Sequence, residues 1–167
     1  GGMLSILIIA PFAKVPMAVL ADALALGVLL GQVVGRIGCY NYGCCFGKPT
    51  QSTLSVCYTH KHSKVGRWRA HWLHSRLHPT QLYMALQNLL GFICIMALLQ
   101  QPLASGMVFF LVMIWEGCAR LSIEPLRADM NFSEGRNWRT VQVASGLALL
   151  GAVGAILLWL NYSADAS

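Results

Sequence analysis

Four long apolar runs constrain this chain more than any other feature. They cover approximately residues 15–34, 79–100, 106–125 and 140–160. A membrane-spanning helix needs about 20 such residues, and in hydrocarbon the backbone must satisfy its own hydrogen bonds, which favours helices. Since 56% of all residues are hydrophobic and 11% are charged, we predict an all-α fold: a polytopic transmembrane helix bundle with four full spans.

A shorter apolar run begins the chain. Residues 3–13 provide about half of the length that a spanning helix needs, so they are predicted to be a partial N-terminal apolar segment. Because the chain starts Gly1-Gly2 without a methionine, we expect residues 1–167 to be one transmembrane domain from the C-terminal part of a longer chain. The alternative is a re-entrant or interfacial segment of a complete short protein.

Residues 36–77 contain no long apolar run and are predicted to be a basic extramembrane loop, with a short strand at 54–58. The chain carries a net charge of +6, which in a membrane protein favours contact with anionic lipid headgroups. No nucleic-acid-binding motif accompanies this charge. The expected partners therefore include the membrane and exclude nucleic acid.

The loop also suggests a zinc site as an alternative. Cys44 and Cys45 precede four histidines in the same loop. The spacing matches no standard zinc-ligand pattern, so the sequence assigns no metal and no cofactor. The histidines are His60, His62, His71 and His74.

Polar residues inside the apolar runs need an explanation, because ionisable groups at membrane depth usually face the bundle interior. Asp22 lies about two turns into the first run, and Glu116 lies in the third. We expect both to be structural and to hold helices together. A row of glycines, Gly27, Gly31 and Gly35, predicts that another helix approaches the first run closely.

Connectivity brings charged residues together at one membrane face. Successive spans run antiparallel, so the face that holds Arg36 and His78 also holds Arg120, Glu124 and Arg127. Burying an unpaired arginine in a bilayer costs at least about 2.5 kcal/mol, so the arginines need carboxylates or a bound anion. Arginine contacts phosphate in a bidentate manner, which predicts a phosphate pocket; internal salt bridges are the alternative.

Four motifs occur in a fixed order. Gly1-Gly2 precedes an apolar run, and Gly35-Arg36-Ile37-Gly38 ends another, with Gly47 further on. His78-Pro79-Thr80-Gln81-Leu82-Tyr83 opens the second span. The end of the third span and the residues after it contain Arg120, Glu124, Arg127 and Asp129 in an R-x-x-x-E-x-x-R-x-D pattern. In this combination, over nearly its whole length, the chain resembles the prolipoprotein diacylglyceryl transferase family.

The resemblance implies an enzyme that transfers a diacylglyceryl group from phosphatidylglycerol to the lipobox cysteine of preprolipoproteins and releases glycerol phosphate. Arg36 and Arg120 are implied to hold the phosphate, Arg120 as a catalytic residue, and His78 is the candidate catalytic base. No cofactor is implied. Further substrate-binding residues implied by the motifs are Gly38, Gly47, Gln81, Tyr83, Glu124 and Arg127.

The implied partners are phosphatidylglycerol and other anionic lipids, together with preprolipoprotein signal peptides. The implied location is the bacterial inner (plasma) membrane, with several spans and an extracytoplasmic active face. The excess of positive charge in the loop would instead place that face in the cytoplasm. We follow the resemblance, because the charge rule is statistical and depends on all spans of a protein.

Several signature positions depart from the family pattern. Cys39 and Tyr42 stand where asparagines are usual, Cys44 and Met84 stand where glutamates are usual, and Glu116 replaces a tyrosine. The histidine of the first motif would precede the first residue. These departures favour an alternative of a different class, a non-catalytic family member that serves as a structural subunit of a larger membrane assembly.

Overall fold

The computed structural model describes residues 15–101, 103–128 and 135–165. In the last range the side chains of residues 142–162 are described. The predicted apolar segment at 3–13, the Gly1-Gly2 motif and Asp129 lie outside the described residues. The elements in chain order are α1 (Met17–Tyr42), β1 (Val56–Cys57), α2 (Lys64–Trp68), a 3-10 turn (Ala70–Trp72), β2 (Arg76–Leu77), α3 (Thr80–Leu98), α4 (Met107–Ile123), a second 3-10 turn (Glu124–Leu126) and α5 (Gly135–Asp165).

The all-α class is confirmed, and three of the predicted spans have helices long and apolar enough to cross a membrane. These helices are α1, α3 and the part of α5 from Gln142 to Tyr162. The helix of the remaining span, α4, has 17 residues. At 1.5 Å per residue it extends about 25 Å, less than the roughly 30 Å of a hydrocarbon core. The count of four spans is therefore not confirmed.

Helix α1 continues well beyond the end of its apolar run. It ends at Tyr42, so the prediction that a loop begins at residue 36 is wrong. Single glycines cost a helix about 1 kcal/mol each and do not stop it, whereas Gly43 adopts a left-handed φ of 68° and terminates it. Arg36 and Gly38 consequently lie on the helix rather than in a loop.

Helix α5 also exceeds the predicted span. It begins at Gly135, five residues before the apolar run that starts near residue 140. Hydropathy marks the part of a helix that suits a membrane, whereas hydrogen bonding continues through polar residues. Residues 129–134, which precede this helix, lie outside the described residues.

The bundle core lies where α1, α3 and α4 meet. Its buried members are Ala25, Leu29, Ile95, Val108 and Val112. Helix α5 packs along α4, and an added Cβ at Gly151 would come within 2.9 Å of the Phe110 backbone oxygen. Such glycines let two helices approach closely.

The glycine row of α1 behaves differently. At Gly27, Gly31 and Gly35 an added Cβ would meet nothing within 4 Å. No described helix packs on this row, so the predicted close partner is not found among the described residues. The row instead forms part of a groove.

Asp22 holds the start of α4. Its Oδ2 accepts a hydrogen bond from the Gly106 N–H at 2.6 Å, and its Oδ1 accepts one from the Phe109 N–H at 2.8 Å. The first N–H groups of a helix have no partners within the helix, and the negative charge of a carboxylate there interacts favourably with the helix dipole. This contact fixes α4 against α1 at the end of the bundle opposite Arg36.

A small cap covers the other end of the bundle. Its core contains Phe46, Val65, Leu77 and Ala128, all buried. The predicted strand is present but short, because Val56 and Cys57 pair antiparallel with Leu77 and Arg76. The cap therefore ties the chain after α1 to the chain before α3.

Candidate functional site

The predicted phosphate-binding arginines share one groove. We call it the arginine groove; it has a volume of about 700 Å³, and its walls include Gly27, Gly31, Gly35, Arg36, Cys39 and Arg120. Arg36 belongs to α1 and Arg120 to α4, both are half-buried, and their charges interact. Two guanidinium groups that are far apart in sequence thus face one space.

The charges around the two arginines do not cancel. Glu116 lies one turn before Arg120 and interacts electrostatically with both arginines. Among the described residues, neither arginine has a carboxylate oxygen within 4.0 Å. Glu124 is instead ion-paired with Arg127, at 3.7 Å between Nη1 and Oε2. Arg120 also interacts with both members of that pair, whose opposite charges offset each other. Two guanidinium groups against Glu116 then leave the groove positive, which suits an anion.

A set of polar side chains inside the bundle extends from Glu116 to α3, and the sequence predictions did not include it. Gln32 interacts with Glu116, and the Gln32 Oε1 accepts a hydrogen bond from the buried Asn88 Nδ2 at 3.0 Å. The set links α1, α3 and α4. The sequence did contain a signal, since amide side chains within apolar runs are expected to face other helices.

Gly47 is the point where three of the motifs meet. Its N–H donates to the His78 carbonyl at 3.0 Å, and it forms a β-bridge with Arg127. An added Cβ would lie 2.7 Å from the His78 oxygen and 2.9 Å from the Leu126 oxygen. No side chain fits between these carbonyls, so a glycine is required for the close approach.

The pair formed by Glu124 and Arg127 belongs to the same junction. Both side chains are largely buried, with exposed fractions of 4% and 10%. Because a buried charge without a partner is strongly destabilising, the pair holds the end of α4 against the cap. Neither residue is among those that line the arginine groove.

Gln81 is buried and serves the cap. Its Nε2 donates to the Cys44 carbonyl at 2.6 Å and to the Tyr58 hydroxyl at 3.2 Å. Burial, with a smaller contribution from Tyr40, raises the pKa of Tyr58 to about 12. The phenol thus stays protonated, and its hydroxyl donates to the Tyr40 carbonyl at 3.0 Å. Gln81 connects the start of α3 to the end of α1.

Tyr83 lines a different groove, and His78 lies beside Tyr83. The His78 Nδ1 lies 3.4 Å from the Tyr83 hydroxyl. Tyr83 lines a second groove of about 490 Å³ between α3 and α4, which we call the apolar groove; its other walls include Leu86, Leu90, Trp115, Ala119 and Ser122. His78 and the exposed Gly38 are not among the residues that line the arginine groove.

Three cysteines gather beside the arginine groove. The sulfur atoms of Cys39, Cys44 and Cys45 lie within 4.8 Å of one another. Burial, followed by the neighbouring thiols, raises the pKa of Cys44 to about 12. Among the described residues the cluster contains no histidine. The zinc alternative that joined Cys44 and Cys45 to the loop histidines is therefore wrong, because Cys39 completes the cluster instead.

Comparison with known proteins gives a consistent result. The family model for prolipoprotein diacylglyceryl transferase matches residues 1–160. Phosphatidylglycerol–prolipoprotein diacylglyceryl transferase of Clostridium tetani is 36% identical over 65% of this chain and 41% of its own length. The protein of the same name from Streptococcus mutans is 36% identical, over 82% of this chain and 50% of its own length.

A third relative covers more of the chain. The protein of that name from Halalkalibacterium halodurans is 30% identical over 95% of this chain and 53% of its own length. The chain thus spans about half the length of the curated relatives it matches.

Proposed function

This chain belongs to the prolipoprotein diacylglyceryl transferase family, and from that premise we propose that it acts in lipoprotein maturation. The relatives are named for phosphatidylglycerol and prolipoprotein. The proposed reaction transfers a diacylglyceryl group from phosphatidylglycerol to the lipobox cysteine of a preprolipoprotein. The proposed partners are these two substrates and other anionic lipids that compete for the same groove.

The reaction needs an anion-binding site more than it needs a nucleophile. The substrate thiol supplies the sulfur, which forms a bond to the glycerol carbon as the bond from that carbon to the phosphate oxygen breaks. Glycerol phosphate leaves with the electron pair of the broken bond, and the thiol proton passes to a base. Fixed cationic groups that face the departing phosphate lower the barrier.

The arginine groove is the observation that carries the proposal. Arg36 and Arg120 come from different helices, line one space and exceed the nearby negative charge. The open glycine row of α1 continues from Arg36 along the same groove. If the guanidinium groups bind the phosphate of a phosphatidylglycerol molecule, the acyl chains of that lipid would lie over the open glycine row.

His78 as the base stays a prediction. Its ring contacts Tyr83 rather than the lining of the arginine groove. A His78→Gln variant tests the assignment, because glutamine preserves hydrogen bonding but cannot accept the thiol proton. Loss of transfer near neutral pH that recovers at higher pH, where the substrate thiol ionises without a base, would support the assignment, and a loss that persists at higher pH would contradict it.

The proposed location is the bacterial inner membrane, with the arginine end of the bundle and the cap outside the cytoplasm. Cys57 is an exposed residue of the cap and reports this orientation. A membrane-impermeant maleimide should label Cys57 in intact spheroplasts, with the other cysteines replaced by serine. Labelling that requires lysis would contradict the orientation.

The test of the function uses the full-length protein with phosphatidylglycerol and a lipobox peptide. Release of glycerol phosphate should fall by about 10²–10³-fold in Arg120→Ala, as when one anion-stabilising donor is removed. Ser122→Ala is the matched control, because Ser122 lies two residues away on the face of α4 that lines the apolar groove. Unchanged release in Arg120→Ala would refute the assigned role.

The same assay distinguishes the structural-subunit alternative. A non-catalytic family member would release no glycerol phosphate in the unmodified protein, and its arginine variants would change assembly rather than chemistry. The altered signature residues are the observation that favours this alternative.

A further inference from the structure

The cysteine cluster beside the arginine groove has no part in the proposed transfer reaction. We propose that Cys39, Cys44 and Cys45 form a binding site for one thiophilic metal ion, Zn²⁺ or Cu⁺, through three thiolate ligands. The three sulfur atoms lie within 4.8 Å of one another. Zinc–sulfur bonds of about 2.3 Å place the sulfurs of one ion roughly 3.8–4.0 Å apart, so small side-chain rotations would close the site.

The fold holds the three residues in place from two helices. Cys39 lies in the last turn of α1, and the Cys44 N–H donates to the Cys39 carbonyl at 3.1 Å. The Cys44 carbonyl accepts from Gln81 Nε2, and the Cys45 carbonyl accepts from the Thr80 hydroxyl, both at 2.6 Å. Their backbones are thus fixed by α3. The ligands are arranged before an ion arrives.

The left-handed backbone of Cys45 explains why two consecutive cysteines can serve one site. Its φ is 57°, a conformation that residues other than glycine seldom adopt. Neighbouring side chains in an extended strand point to opposite faces. At Cys45 the chain bends instead, and both thiols lie beside Cys39.

The donor set selects the class of ion. Thiolates bind Zn²⁺ and Cu⁺, whereas Mg²⁺ and Ca²⁺ require oxygen ligands. Among the described residues the cluster includes no carboxylate and no histidine. All three cysteines are half-buried, so a fourth position stays open to water or to an added ligand, as in zinc sites with three protein ligands.

The charges around the cysteine cluster favour its metal-bound form. Three thiolates around Zn²⁺ carry a net charge of −1, and around Cu⁺ a net charge of −2. Cys39 lines the same groove as Arg36 and Arg120, and these guanidinium groups offset the negative charge. Glu116 interacts with both arginines but is not among the residues that line the groove.

The test measures metal binding to the reduced, chelator-treated, full-length protein in detergent. Titration with Zn²⁺, and separately with Cu⁺ in the presence of a competing chelator, should give one ion per chain for at least one of the two metals. Whichever binds identifies the ion. Co²⁺ in the same site should show thiolate-to-cobalt charge transfer.

Serine variants assign the ligands. Cys39→Ser and Cys44→Ser should each weaken binding by more than about tenfold, since loss of an outer-shell partner alone has that effect. The matched controls are Cys57→Ser and Cys94→Ser, because both cysteines are exposed and outside the cluster. Stoichiometric binding that survives in Cys39→Ser would overturn the proposal.

Thiol protection in the unmodified protein provides a measurement that does not depend on the folding of variants. Bound Zn²⁺ or Cu⁺ should slow alkylation of Cys39, Cys44 and Cys45 but not of Cys57 or Cys94, as read by peptide mass spectrometry. Equal alkylation with and without metal would overturn the site. The site would also be overturned if protein taken directly from membranes contained a disulfide within the cluster and the reduced protein bound no metal. These readouts concern binding alone, so they do not depend on the transferase proposal.

Discussion

Two grooves flank α4, and they differ in the chemistry that one helix presents to its two neighbours. Towards α1 the helix presents Glu116 and Arg120, one turn apart; both interact with Arg36, and Arg120 lines the arginine groove. Towards α3 it presents Trp115, Ala119 and Ser122, and the apolar groove results.

The difference follows from helical periodicity and from the partners on each side. Residues four apart share a face of a helix, whereas residues two apart lie nearly opposite. Helix α1 supplies Gln32 and Arg36 to the charged face, while α3 contains no charged residue. A charged groove therefore requires polar residues on both helices, and the comparison predicts which substitutions affect the anion site and which do not.

The largest effect should come from removing both arginines. The double variant Arg36→Ala/Arg120→Ala should lose transfer by at least about 10²–10³-fold. Its rate of transfer should be less than about tenfold below that of the less active single variant, because the effects of residues that act on one group are strongly non-additive. Glycerol phosphate release by all three variants measures this coupling. Losses that multiply would show that the arginines act on separate groups.

A smaller effect should come from filling one groove at a time. Gly31→Leu places a branched side chain in the open space of the arginine groove, and should lower transfer by about tenfold or more, since one displaced methylene in a pocket is worth 10–200-fold. Helix α1 should stay folded, because leucine favours helices more than glycine does.

Ala119→Leu is the matched change in the apolar groove. It should alter transfer by less than about twofold. Equal losses in Gly31→Leu and Ala119→Leu would show that both grooves hold substrate and would remove the distinction between them.

Asp22→Ala should affect stability more than chemistry. The variant loses the hydrogen bonds to the Gly106 and Phe109 N–H groups, and losing a helix cap costs about 0.5–2 kcal/mol. Thermal unfolding in detergent should show a lower midpoint, and Asp22→Asn, which keeps an acceptor oxygen, should lie between the variant and the unmodified protein. An unchanged midpoint for Asp22→Ala would mean that the start of α4 is held by other contacts.

The smallest effect on activity should accompany the titration of Cys44. Its raised pKa of about 12 means that the thiolate is a minor species at neutral pH and grows about tenfold per pH unit from pH 7 to 9. In metal-free protein its alkylation rate should rise in the same proportion while transfer at each pH is unaffected by the alkylation. Exposed Cys57 controls for access of the reagent. A Cys44 rate that is flat over this range would contradict the raised pKa.

The sequence predicted the helices better than their ends. Apolar runs located α1, α3, α4 and α5, because the length and hydropathy of a run are local properties. The ends of α1 and α5 were missed, since polar residues carry a helix beyond the membrane without leaving a hydropathy signal. The end of α1 depends on Gly43, whose left-handed conformation follows from its position rather than from the apolar pattern.

The sequence by itself determined that this is a helical membrane protein, and alternating spans sufficed to place Arg36 and Arg120 at the same end of the bundle. Only the tertiary structure decided which residues face the shared groove. It placed Glu124, Arg127 and Gln81 in buried contacts at the cap, and it brought Cys39 to Cys44 and Cys45. The physical reason is that spacing fixes which residues share a helix face, whereas the rotation of each helix and the path of the loops depend on contacts between distant parts of the chain.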